Sequence, residues 1–257
     1  MSEYVLQTEG LKKSFGGVEA VKDFSFHVKE GQVIAIIGPN GAGKTTIFNL
    51  ISKIYQPDKG TVTLAGQDIT NKSQIETARM GISRTFQNTR LFTGLSVLDN
   101  IKVALDYSGK YSLVEALLLL PRRWKQENET TRRAMECLEL LNLDQYASTR
   151  PANLPYGIQR RVEIARALVS NPKVLMLDEP AAGLNPEEVF QLVDFIKEIK
   201  SKYPKLAILI IEHRMDLVMN LSEYIYVQDF GQTIAQGVPE EIQNNPLVLK
   251  AYLGEED

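Results

Sequence analysis

Eight consecutive residues, Gly38-Pro39-Asn40-Gly41-Ala42-Gly43-Lys44-Thr45, carry glycines, a lysine and a hydroxyl at offsets that suit a polyphosphate. Gly41 and Gly43 let the backbone curl, so that successive N–H groups face inward and form an anion nest. A helix that starts at Lys44 adds its positive N-terminal end. Lys44 places a point charge between the β- and γ-phosphates, and Thr45 offers its hydroxyl to Mg²⁺. A second pair of candidates closes an apolar run, Val174-Leu175-Met176-Leu177-Asp178-Glu179. Two acids at the end of a buried strand are costly unless they hold something. Asp178 suits Mg²⁺, directly or through water. Glu179 suits a water that attacks the γ-phosphate, a role in which positioned bases contribute about 10²–10⁴ in rate.

These side chains need a frame. Val33-Ile34-Ala35-Ile36-Ile37 is a continuous β-branched run that ends in the glycine-bearing turn and then a helical pattern from Lys44 to Lys53. Val174 to Leu177 and Leu206 to Ile211 are two more such runs. Strands this apolar are buried on both faces, which predicts an α/β fold with a mostly parallel sheet and helices on either side. Gly60 to Ala65 and Tyr224 to Val227 alternate more and predict sheet-edge strands, and Asp229-Phe230-Gly231-Gln232 predicts a hairpin turn. Between about Leu91 and Arg150 strand-like runs vanish and helix formers dominate. The predicted organisation is therefore an α/β core from residues 1–90 and 151–257 with a helical subdomain, residues 91–150, inserted into it.

Composition sets the bounds. The chain has 257 residues, 24% charged and 44% hydrophobic, with a net charge of −3, so it lacks the basic excess expected of a nucleic-acid binder. A single cysteine, Cys137, excludes an internal disulfide framework. Met1-Ser2-Glu3-Tyr4 lacks the basic and apolar pattern of a secretory leader. The most apolar stretch, Leu113 to Leu120, is interrupted by Glu115 and stopped by Pro121, too short to span a bilayer.

Taken together, the phosphate loop and the two acids resemble the ATP-binding cassette (ABC) ATPase family, and further elements match in order across nearly the whole chain. That resemblance implies a P-loop NTPase core with an antiparallel N-terminal β-subdomain. It implies ATP bound by Gly38, Pro39, Asn40, Gly41, Ala42, Gly43, Lys44, Thr45 and Thr46, with Phe15 stacked on adenine. It implies Mg²⁺ held by Thr45, Gln87 and Asp178. Catalysis falls to Glu179, His213, Lys44 and Gln87. Gln87, in Arg84-Thr85-Phe86-Gln87, sits where the family has its glutamine loop, which faces membrane subunits. His213, in Ile210-Ile211-Glu212-His213, matches the switch histidine that contacts the γ-phosphate. Gly183-Leu184-Asn185 matches the loop that crosses between subunits, with Asn where many members have Asp. His27, the other histidine, has no assigned role.

The family signature, Leu-Ser-Gly-Gly-Gln, appears here as Leu154-Pro155-Tyr156-Gly157-Ile158. Pro155 stands where a serine hydroxyl and amide approach the phosphate held by the opposite subunit, and proline offers neither donor. Phe15 to Val21, Thr85 to Phe92, Ala181 to Pro186, Ile211 to Met219 and the tail from Gly237 resemble the larger ATPase of branched-chain (hydrophobic) amino-acid importers. Urea and lipopolysaccharide transporters have similar ATPases, and a soluble non-transport ABC ATPase is a further alternative. The resemblance implies a second ATPase subunit, identical or different, as partner. It also implies integral-membrane permease subunits and, indirectly, an extracytoplasmic solute-binding protein. The expected place is the cytoplasmic face of the cell membrane.

Overall fold

The structure, a computed structural model, describes residues 3–87, 90–106 and 121–253. Chain contacts divide it into two units, Met1–Gln87 with Pro172–Asp257, and Asn88–Asn171.

The first unit holds two sheets. The antiparallel sheet runs in the order β2 (Val18–Val28), β1 (Leu6–Phe15), β4 (Lys59–Leu64), β5 (Gln67–Asp68). The six-stranded sheet runs β10 (Gln232–Gly237), β9 (Tyr224–Asp229), β3 (Val33–Ile37), β8 (Ala207–Ile211), β7 (Val174–Asp178), β6 (Ile82–Arg84). Its neighbours pair in parallel except β10, which returns antiparallel along β9. All five residues of β3, of β7 and of β8 are buried. The alternation along β3 explains why. Ile34 and Ile36 join Phe24, Phe26, Phe48 and Val62 in one core, while Ala35 and Ile37 join Val218, Ile242 and Val248 in another. Both faces are covered, so no polar residue is tolerated until the strand ends.

The second strand expectation needs correction. Tyr224–Asp229 is an inner strand, bonded to β3 on one side and β10 on the other. Its alternation comes from tyrosines that are themselves packed. Tyr226 is buried and stands edge-on to Phe24 and Phe26, with ring centroids 6.1 and 6.0 Å away. The stretch from Gly60 does lie near an edge, since β5 covers it with only two residues. The hairpin forms as the sequence predicts, with Asp229 paired to Gln232 and positive φ at Phe230 and Gly231.

The second unit is helical: α3 (Val97–Asp106), α4 (Pro121–Leu140) and α5 (Tyr156–Leu168), numbered after α1 (Lys44–Ile51) and α2 (Gln74–Met80). It reaches Asn171, so the 154–158 segment and α5 belong with the helical unit rather than with the α/β core assigned to them from sequence. The cause is packing. Buried Val162, Ile164, Ala165 and Leu168 give α5 an apolar stripe at helical spacing, and Cys137 on α4 lies with its Sγ 3.6 Å from the Ala165 carbonyl. Burial pushes the Cys137 thiol up to about 12, so it behaves as a small core residue. The apolar Leu113 to Leu120 stretch lies outside the described residues. No helix among the described residues is long and apolar enough to cross a membrane.

Candidate functional site

Four neighbouring strands, in the order β3-β8-β7-β6, run parallel and so end at one edge of the sheet. Each is followed by predicted site residues: β3 by Gly38 to Thr45, β8 by His213, β7 by Glu179 and β6 by Gln87. The carboxyl edge of a parallel sheet is where α/β proteins bind ligands, because loops and helix N-termini converge there.

The phosphate loop has the shape that its glycines predict. Gly41 and Gly43 have φ of +83° and +97°, and a Cβ at Gly43 would sit 2.3 Å from the Ala20 carbonyl oxygen. Only glycine fits there. Lys44 is 7% exposed, and its Nζ donates to the carbonyls of Gly38 and Pro39 at 2.7 and 2.8 Å. The ammonium is thus folded back over its own loop. Burial lowers its pKa, and the charges of Glu179 and Asp178 oppose that shift, which brings the two motifs into electrostatic contact. Thr45 is exposed and Thr46 half-buried at the start of α1.

On the neighbouring strands, Gln87 Nε2 donates to Glu179 Oε2 at 2.7 Å. Glu179 itself has φ of +45° and donates its N–H to the Ile211 carbonyl at 2.9 Å. A non-glycine residue held there is strained, as is common where a side chain must be aimed. Asp178 is buried, and one of its oxygens, Oδ2, is paired with Arg84 at 2.6 Å. Arg84 was not among the sequence candidates. The signal was present, a guanidinium closing the short strand before Gln87, but nothing in the sequence pairs it with a residue 94 positions away.

His213 is exposed. The residue before it, Glu212, is fully buried and accepts N–H groups from Ala181, His213 and Arg214 at 2.7, 3.0 and 3.2 Å. Burial pushes its carboxyl up, and those N–H groups pull it back. It too was missed, although it closes an apolar strand in the manner that singled out Asp178 and Glu179. Asn185 caps α6 (Pro186–Lys202), accepting the Glu188 N–H at 2.9 Å, and this reciprocal cap fixes the Gly183-Leu184-Asn185 turn.

Phe15 is 42% exposed at the end of β1, where it meets Tyr55 edge-on at 5.2 Å. The Lys13 Nζ also stands over its ring, 5.5 Å from the centroid, so the exposed ring already carries a cation. In the helical unit, Pro155 is the N-cap of α5 and makes no side-chain cap, while Tyr156 is exposed and Leu154 buried. Gly157 and Ile158 are half-buried in the first turn.

Mg²⁺ takes oxygen ligands and keeps several waters. The Thr45 hydroxyl, the Gln87 amide oxygen and Asp178 Oδ1, left over by Arg84, are donors of that kind. Among the described residues no cluster of three or more His, Cys, Asp or Glu offers a rival metal site.

A glycine nest at the start of a helix, with its lysine under the influence of two acids from a neighbouring strand end, defines a P-loop nucleotide-hydrolysing domain. The chain belongs to the ABC transporter family, whose description matches residues 21–182. A second family, described as branched-chain amino acid ATP-binding cassette transporter, matches residues 232–257. The chain is 45% identical over 255 residues to the high-affinity branched-chain amino acid transport ATP-binding protein LivG of Salmonella typhimurium, covering 99% of this chain and 100% of that one. It is 43% identical over 255 residues to the corresponding protein BraF of Pseudomonas aeruginosa, with the same coverage. Among solved structures, an ATP-binding cassette of an ABC transporter in its ADP conformation superposes with a TM-score of 0.86 at 35% identity, covering 99% of this chain and 100% of that one.

Proposed function

We propose that the protein is the ATP-hydrolysing subunit of an importer for branched-chain or other hydrophobic amino acids. The observation that carries the reaction is the Gln87–Glu179 hydrogen bond beside a phosphate loop whose lysine feels Glu179 and Asp178. Likeness over the full length to LivG and BraF, including the tail, carries the solute class.

In this reading the loop N–H groups, Lys44 and the N-terminus of α1 bind the phosphates. Phe15 stacks on the adenine. Thr45, Asp178 and Gln87 would hold Mg²⁺, which supplies charge stabilisation on the phosphates. Glu179 takes the proton of the attacking water, and His213 meets the γ-phosphate. The Leu154 to Ile158 segment and the Gly183 to Asn185 turn serve the second ATPase subunit, identical or different. The permease subunits, fed by an extracytoplasmic solute-binding protein, meet the glutamine-loop side. The protein then works at the cytoplasmic face of the membrane without spanning it.

The test is uptake of labelled leucine into proteoliposomes that hold this subunit with its co-purified partner ATPase and permease, with the solute-binding protein supplied outside. ATP inside should drive uptake, and Lys44→Ala and Glu179→Gln should abolish it, with Glu179→Gln still retaining ATP in a stable dimer. A Glu179→Gln complex that hydrolyses ATP normally removes the base assignment. Uptake of urea in place of leucine removes the solute assignment.

A further inference from the structure

Glu212 lies at the end of β8 with no surface exposed. A carboxylate so placed is costly unless every oxygen is satisfied. Here the satisfaction comes from two different loops. Oε1 accepts the N–H of Ala181, two residues beyond Glu179, at 2.7 Å. Oε2 accepts the N–H groups of His213 and Arg214 at 3.0 and 3.2 Å. The next residue but one repeats the arrangement. Arg214 Nη1 donates to the carbonyl of Leu184 at 3.2 Å, while its Nε and Nη2 rest on Asp216 at 3.3 and 2.8 Å. The loop from Glu179 to Asn185 is thus tied to the His213 turn by a side chain on each flank of the histidine.

We propose that Glu212, with Arg214, is a positioning residue that makes these two loops one body, so that the phosphate state met by His213 is passed to Glu179 and to the Gly183–Asn185 turn. The inference rests on the ATPase reading above and adds a transmission element to it. An ionised carboxylate is the chemistry required, because it only accepts. Glutamine has nearly the same volume but must aim an NH₂ group at one set of donors. Keeping the two N–H groups of His213 and Arg214 is the better choice, which sets NH₂ against the Ala181 N–H. Glu212→Gln therefore preserves the histidine turn and breaks the link between the loops.

The experiment is steady-state ATP hydrolysis by the assembled complex, with nucleotide affinity and thermal melting measured alongside. The expected result for Glu212→Gln is a kcat lowered about ten- to a hundredfold, the scale of one hydrogen bond to a charged group, with KM for ATP within about threefold of wild type. Arg214→Gln, on a half-buried side chain, should lower kcat severalfold with KM again little changed, and it stands in if Glu212→Gln does not fold. The double variant should lose less than the product of the two, since both act on one link. A folded Glu212→Gln with wild-type kcat overturns the proposal. So does a loss that merely tracks the fraction unfolded, which marks a structural role alone. A wild-type complex without ATPase activity removes the functional reading itself, and this inference with it.

Discussion

Arg84 Nη2 and Asp178 Oδ2 lie 2.6 Å apart, with only 7% and 6% of their side chains exposed. Both terminal nitrogens of the guanidinium are held, while its Nε is buried without a partner. Its Nη1 donates to Asn49 Oδ1 and Ser52 Oγ at 2.7 and 2.9 Å, and its carbon stands 5.5 and 5.4 Å from the rings of Phe48 and Phe86. Asn49 and Ser52 belong to the end of the helix that the phosphate loop begins. Arg84 therefore joins the phosphate-loop helix, the glutamine-loop strand and the acid of β7. Planar, multiply bonded and desolvated, it is a role that lysine cannot fill.

Removing one partner of such a pair leaves an uncompensated buried charge, a loss of about 3–5 kcal/mol. Arg84→Met is expected to destabilise the protein by that amount in chemical denaturation. Asp178 also loses the partner that fixes which oxygen faces a cation. The Mg²⁺ concentration for half-maximal ATP hydrolysis should rise. Arg84→Lys should fall between wild type and Arg84→Met in stability, because it keeps the charge but not the fork. A denaturation midpoint for Arg84→Met equal to wild type would show that the pair contributes nothing.

Pro155 makes two predictions converge on one substitution. As N-cap of α5 it has φ −53° and ψ 147°, the extended backbone of a cap, yet no side-chain oxygen to bond the first turn. Serine fits that backbone and would satisfy one orphan N–H. Pro155→Ser is expected to stabilise the helical unit by about 1 kcal/mol in thermal or chemical melting. The same hydroxyl and the restored amide become donors toward a phosphate, and a hydrogen bond to a charged group is worth about 1.5–3 kcal/mol. ATP hydrolysis should speed up, or the ATP-bound dimer tighten, by roughly ten- to a hundredfold on that scale. An unchanged rate with an unchanged dimer constant sinks the functional half and leaves the cap untouched.

The residues that sequence reasoning could read are those whose local context states their role. Gly43 and Lys44 are such a pair, since glycine is demanded by the backbone and lysine by the ligand within one turn. The apolar runs of β3, β7 and β8 were legible for the same reason, because burial on both faces leaves no room for alternation. What escaped depends on contacts remote in sequence. Arg84 has meaning only when β6 is set beside β7, with Arg84 opposite Met176. Glu212 has meaning only when the loops after β7 and β8 are adjacent. The domain boundary predicted from sequence sits at about Arg150, where the texture of helix formers without strands is read to end, and so falls short of α5. Its buried stripe, not its motif, decides which unit it joins.

Lys53 offers a prediction independent of the site. It follows α1 with φ of +60°, and its Nζ is buried without a hydrogen-bond partner. Burial pulls its pKa from 10.5 down to about 8, with Asp68 offsetting part of the shift. Below about pH 8 the lysine is charged in both folded and unfolded chains, and the fold bears the full desolvation cost. Between about 8 and 10.5 the unfolded chain holds more protons than the folded one, so stability rises with pH across that window. Above it the cost is gone. A shift of that size corresponds to a penalty on the order of 2–4 kcal/mol. Lys53→Met keeps the packed stem and removes the charge. The variant should be more stable than wild type by about that amount at pH 7, and the gap should close as pH approaches 10.5. Urea denaturation of both proteins at pH 7, 9 and about 10.5 checks it. A gap that is constant with pH would place the cause in packing or in the left-handed backbone, not in the ammonium.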